Sequence, residues 1–219
     1  MAEPTPRLTR TSREGRALVA RELERRVVAL SVAALDAKIV PTPQWLLRPG
    51  RADCRARWPL IREIYHDLEP GLELPEMMRP VERRELDAVI ETADAGLRVL
   101  EVDETQHFNR FRAVTLRHYA HTIPLAFDAD EWIARSEQKI RLEGGGFGKP
   151  KPPLFPGEHG RHRQRAFRDA LADIIPLEYG YAPTLRIGDF EVAAWVFGVA
   201  AEERLRNLLR AKLDRKAAT

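Results

Sequence analysis

Five residues in one short span could carry acid–base or metal-assisted chemistry: Asp87, Glu101, Asp103, Gln106 and His107. Carboxylates hold hard cations, and an amide or imidazole beside them can orient or deprotonate a water. Two segments must position them. Glu85–Thr92 and Leu97–Glu104 each alternate apolar and polar residues, the period of a half-buried strand, and Asp94-Ala95-Gly96 between them is a turn signal. Gly96 stands where a three-residue hairpin loop wants its left-handed residue. With Ala93 paired to Leu97, Val89 falls opposite Glu101 and Asp87 opposite Asp103, with all four side chains on one face. Asp87 and Glu101 are then diagonal neighbours, roughly 7–8 Å apart at the backbone, close enough for their carboxylates to converge. Acids so grouped raise one another's pKa and are costly to bury, so the strand needs a solvated cleft or a cation. An amphipathic strand with its acids in water is the plainer reading of Glu101-x-Asp103. The acid on the first strand and Gln106-His107-Phe108 after the second favour a site.

The pattern Asp87, thirteen residues, then Glu101-Val102-Asp103-Glu104-Thr105-Gln106-His107-Phe108 resembles the PD-(D/E)xK nuclease superfamily. It is most similar to the branch of the very-short-patch-repair endonucleases, where a strand reading E-x-D-G-x-Q-H is usual. The resemblance implies that Asp87 and Glu101 ligate Mg²⁺, with Mn²⁺ as a substitute, and that the backbone carbonyl of Val102 completes the protein ligands. It also implies that Asp103, Gln106 or His107 orients or deprotonates the attacking water, and it offers Glu63, on a preceding helix, as an extra metal ligand. Asp103 stands where the superfamily carries its catalytic lysine, and Glu104 where this branch carries glycine. A second stretch, Arg161–Ile187, resembles the later part of the same branch, with Arg165 on a helix and Leu185-Arg186-Ile187 as the strand after it.

Composition bounds the rest. A chain of 219 residues with 44% hydrophobic residues can bury a sizeable core. One cysteine, Cys54, excludes an internal disulfide and a cysteine-based zinc site. Met1–Thr11 has no apolar signal region, and the most apolar windows, Val27–Leu35 and Val192–Ala201, are too short to span a bilayer, so a cytoplasmic protein without a membrane partner is expected. Residues 1–56 hold 11 Lys/Arg against 6 Asp/Glu, residues 57–108 hold 6 against 13, and residues 109–219 hold 19 against 14. An acidic centre between basic flanks suits a protein that holds cations and meets phosphates.

Periodicity predicts a helix from Thr11 to about Lys38, ended by Pro41-Thr-Pro43, and a second over Trp58–Leu68. Leu72–Val81 reads as an irregular edge strand interrupted by Pro75 and Pro80. Helices follow over Arg110–His121, Asp128–Leu142 and Arg161–Ile175, then a short strand Thr184–Ile187, then a helix Glu191–Leu213 with Val192, Trp195, Val196 and Val199 turned to the core. The Leu205, Leu208, Leu209 strip on that last helix is either core packing or a surface for a homodimer or partner protein. Gly144–Gly160 has no periodic pattern. It lacks P-loop spacing, so no nucleotide cofactor is expected, and it reads either as a mobile basic arm or as a solvated linker. Lys149, Lys151, Arg161, Arg163, Arg165 and Arg168 make it and the helix start the most basic region, the expected contact with nucleic acid.

The expected fold is α/β (α+β) with the restriction-endonuclease-like αβββαβ core and a mixed sheet. Residues 1–56 form an N-terminal helical extension, 57–190 the core with an insertion at about 110–160, and 191–219 a C-terminal helix. The expected function is metal-dependent hydrolysis of DNA, and no residue pattern separates DNA from RNA. The alternative is an inactive nucleic-acid-binding or complex-assembly protein on the same fold.

Overall fold

The computed structural model describes residues 13–138 and 148–214. Its centre is a four-stranded mixed sheet in the order β1 (Lys38–Val40), β2 (Ala88–Thr92), β3 (Gly96–Asp103), β4 (Ala182–Gly188). The first three strands pair antiparallel and β4 runs parallel to β3. Helices α1 (Arg13–Ala34), α2 (Gln44–Leu47) and α3 (Trp58–Leu68) precede the β2–β3 hairpin, and the long crossover that the parallel neighbours β3 and β4 need is supplied by α4 (Arg110–Tyr119), α5 (Ala129–Gln138) and α6 (Gly160–Glu178).

The period-two alternation of β2 and β3 sorts their side chains between two layers. Ala88, Ile90, Leu100 and Val102, with Leu185 and Ile187 of β4, pack against Leu23, Val27 and Leu30 of α1 (Arg13–Ala34) and against Leu205 and Leu209 of the C-terminal helix Ala201–Leu213. The layer around α6 joins Phe167, Leu171 and Ile174 to Ile61, Ile64 and Tyr65 of the helix Trp58–Leu68, and to Leu116, Tyr119 and Trp132. Gly160 starts α6 where the chain leaves no room for a side chain: a Cβ there would stand 2.2 Å from the Phe155 carbonyl oxygen.

Several expectations change. The hairpin pairs Thr92 with Gly96 and Val89 with Val99, two residues away from the expected register. A shift of two keeps every side chain on its face, whereas a shift of one would have inverted the sheet. Gly96 has φ 67°, the left-handed conformation expected of it. Among the described residues Leu72–Val81 contains no strand; it holds only the start of a 3-10 turn, Pro80–Glu82. Its prolines remove ladder donors, and the edge position goes to Lys38–Val40. The segment read as an N-terminal extension thus supplies both the edge strand and a helix on the sheet.

The single helix expected over Glu191–Leu213 is two, Asp189–Val192 and Ala201–Leu213. Gly198 lies in the break, and Val199 is fully exposed rather than turned to the core. Leu205 and Leu209 are buried inside the chain, so the C-terminal strip packs inward against α1. No described helix is long and apolar enough to cross a membrane. The end of the expected helix Asp128–Leu142 and the run Gly144–Phe147 lie outside the described residues.

Candidate functional site

One step beyond the last paired position of the hairpin, Ala88 with Leu100, Asp87 stands opposite Glu101. Both line a cleft of about 540 Å³. The Val102 amide donates to Asp87 Oδ2 at 2.6 Å. Amide and carbonyl of one strand residue face the same edge, so the Val102 carbonyl looks toward Asp87 as well. Glu101 is 6% exposed, and its Oε1 is buried with no hydrogen-bond partner.

The electrostatics follow from that burial. Loss of hydration, opposed by the Val102 hydrogen bond, pushes Asp87 up to about 7. Burial first, and then the charge of Asp87, holds Glu101 well above the usual carboxylate range. A half-buried and a buried acid that both resist ionisation, the second with an oxygen lacking any partner, fit a divalent cation: it would offset the repulsion and accept the orphaned lone pair.

Opposite the acids stands a basic wall. Arg161, Arg165 and Arg168 recur at i, i+4, i+7 on α6, which places them on one helical face, and all three line the cleft. Arg83 and Arg84 line it from the segment before β2. The rim carries Glu24 of α1, Glu85 and Glu104; burial and then the charge of Glu104 raise Glu24 above its ordinary value.

His107 and Gln106 also line the cleft. His107 Nδ1 lies 3.1 Å from Asp169 Oδ2 and 3.4 Å from Asp103 Oδ1. In a neutral ring, the nitrogen facing carboxylates is the one that donates, so Nε2 would be the acceptor nitrogen. Gln106 Nε2 donates to Glu104 Oε2 at 2.8 Å. Asp103 shares the face of Glu101 but lies deeper. It is fully buried, accepts from Trp132 Nε1 at 2.7 Å and pairs with Arg186 Nη1 at 2.6 Å. The same guanidinium reaches Asp173 Oδ1 at 2.7 Å and donates to the Asp169 carbonyl at 3.0 Å. Asp173 in turn accepts from Arg112 and from the Tyr119 hydroxyl.

Asp103, His107 and Asp169 can bring one ligand atom each within 4.8 Å of one another, so this buried group could hold a metal ion. Its charge is already met, however. Burial would raise Asp169, but His107 and then Arg186 hold it far below the usual carboxylate range. The pair Asp87 and Glu101 is less compensated: burial leaves both acids raised, although the Val102 amide and His107 act on Asp87 and Arg186 on Glu101.

The structure therefore gathers Asp87, Glu101, Val102, Gln106, His107, Arg161, Arg165 and Arg168 at one cleft. It does not bring Glu63 there: that residue is exposed on the helix Trp58–Leu68, whereas Glu24 of α1 lines the cleft. Arg163 points elsewhere and pairs with Glu69 at 2.9 Å. Lys149 and Lys151 are exposed and do not line the cleft. Residues 148–160 are not a free arm, since Leu154 and Phe155 are buried and Lys151 pairs with Phe155. Sequence reasoning missed Glu24, Arg83, Arg84 and Asp169. The doublet Arg83-Arg84 directly before an acidic strand was the available signal for two of them.

No family model, curated protein or solved structure matches the chain.

Proposed function

We propose that this protein is a metal-dependent nuclease that hydrolyses phosphodiester bonds of DNA. One observation carries the reading: Asp87 and the unpartnered Glu101 line the same cleft as the Arg161, Arg165, Arg168 wall, so a cation site faces a phosphate site. Three antiparallel strands followed, after a helical crossover, by a fourth strand parallel to the third support the αβββαβ core implied by the resemblance to the PD-(D/E)xK superfamily, with the helices Gln44–Leu47 and Trp58–Leu68 interposed between its first two strands.

Asp87, Glu101 and the Val102 carbonyl would hold Mg²⁺ or Mn²⁺, with Glu24 near enough on the rim to assist. When bound, the cation supplies Lewis-acid polarisation of the phosphate and of a water. The arginines of α6 bind and orient the strand through its phosphates. His107, its ring fixed by Asp169, presents Nε2 to take the proton of the attacking water, and Gln106 holds that water in line. Asp103 serves by anchoring β3 and His107 through Arg186, not by touching the reacting atoms.

Incubation with supercoiled plasmid and with single-stranded oligonucleotides in Mg²⁺ or Mn²⁺ tests this. Cleavage is expected with either ion and is lost in Asp87→Asn and Glu101→Gln. Absence of cleavage by the wild-type chain would refute it. The burial of Asp103 against Arg186, at the place of the superfamily's lysine, favours a second reading, a nucleic-acid-binding protein without hydrolysis. That reading gives gel retardation and intact DNA in the same experiment.

A further inference from the structure

Arg84 is 5% exposed, just ahead of β2. Its Nε donates to the Leu46 carbonyl at 2.7 Å, and Nη1 donates to the carbonyl of Arg168. Two main-chain anchors on separate elements fix the planar fork. The remaining terminal nitrogen, Nη2, is buried with no partner, and Arg84 lines the cleft in which Glu101 Oε1 is also buried and unpartnered. A buried guanidinium with an idle donor is costly unless an acceptor arrives from outside. Burial does depress Arg84, to about 10, so it still carries its charge at neutral pH.

Arg84 is also close enough to Glu101 for their charges to interact. The strand carrying Glu101 has Asp103 where a lysine would stand, and Arg186 is spent on Asp103 and Asp173. The arginines of α6 approach from the opposite wall, while Arg84 enters from the chain that leads into Asp87 itself. A phosphodiester, with two non-bridging oxygens on one phosphorus, can meet Nη2 with one oxygen and a cation held by Glu101 with the other.

We propose that Arg84 is the fixed cation of the cleft, donating from Nη2 to a non-bridging oxygen of the phosphodiester, and so fills the role left vacant on β3. The assignment rests on reading the cleft as a phosphodiester site.

The test is a titration of the wild-type protein, labelled with ¹⁵N-arginine, by a single-stranded oligonucleotide in Ca²⁺. The Arg84 side-chain signals are assigned in the wild-type protein, labelled also with ¹³C, by through-bond correlation from the Arg84 backbone amide. They are expected to shift and to slow in exchange with water as the oligonucleotide saturates, and Arg84→Lys is expected to bind it at least about 10-fold more weakly, the size of one charge-assisted hydrogen bond. Since Arg84 also anchors two carbonyls, the wild-type spectrum decides if the variant unfolds. Binding with silent Arg84 signals overturns the proposal and leaves the nuclease reading standing. A response at Arg84 without cleavage in Mg²⁺ keeps the proposal and removes hydrolysis. No binding at all overturns both.

Discussion

The Val102 amide donates to Asp87 Oδ2 at 2.6 Å, across the point where the β2–β3 ladder ends. This bond takes the place of the next ladder bond and holds the carboxylate against the strand that carries Glu101. Oδ1 is then the Asp87 oxygen left for a cation. Without a cation the two acids repel, so Glu101→Gln should raise stability in EDTA by on the order of 1 kcal/mol, while reducing Mg²⁺-dependent cleavage by on the order of 10²-fold or more. Urea denaturation and plasmid nicking measure the two effects. A loss of stability in EDTA would mean that the pair is not strained by its charge.

Acidity should follow the same pair. Asp87 is raised to about 7 and Glu101 well above its ordinary value. The folded chain therefore keeps protons that the unfolded chain gives up from about pH 4. The stability that these two acids contribute is fully present below that pH and is lost as pH climbs through about 7. Cation binding needs both acids ionised and strengthens over the same range. Denaturation in EDTA is expected to show lower stability at pH 8 than at pH 5, with Mg²⁺ restoring more at pH 8. Equal stability at the two pH values in EDTA would contradict this.

Arg186 is a buried cation shared by Asp103 and Asp173. Removing it by Arg186→Met leaves buried Asp103 with the neutral Trp132 donor and Asp173 with Arg112 and Tyr119, and should cost about 3–5 kcal/mol. Lysine offers a single charged tip, so Arg186→Lys cannot serve both carboxylates as the fork does and recovers only part of the loss. Melting temperatures of the three proteins provide the comparison.

Glu24 sits on the cleft rim from α1. Its contribution to the cation site is one outer carboxylate, so Glu24→Gln should weaken Mn²⁺ binding by less than about 10-fold, at most the roughly 1.4 kcal/mol of one decade, and leave the melting temperature near wild type. Calorimetric titration with Mn²⁺ checks it. Unchanged affinity would remove Glu24 from the site.

The hairpin was legible because alternation and the Asp94-Ala95-Gly96 turn are local signals. So were the helices Trp58–Leu68 and Gly160–Glu178, each with a clean apolar stripe. The register was misjudged by two residues, since the loop closes one residue earlier on each strand, a choice made by packing of Val89 and Val99 against Leu46. Lys38–Val40 was hidden because three residues carry too little periodicity to separate a strand from the end of a helix. At the site, Asp87 and Glu101 were readable from their spacing. Glu24 and Arg84 were not, because α1 and the approach to β2 meet the cleft only through the tertiary fold. Asp103 showed its acid but not its partner: Arg186 lies on the neighbouring parallel strand, 83 positions along the chain.

The cleft draws its acids from residues 87 and 101 and its α6 arginines from residues 161 to 168, with β4 locking the assembly through Arg186. A nascent polypeptide therefore emerges from the ribosome with the carboxylates already made and the opposing wall still unsynthesised. The site has no working half-form, so whatever acts there is silent until translation has passed the final strand.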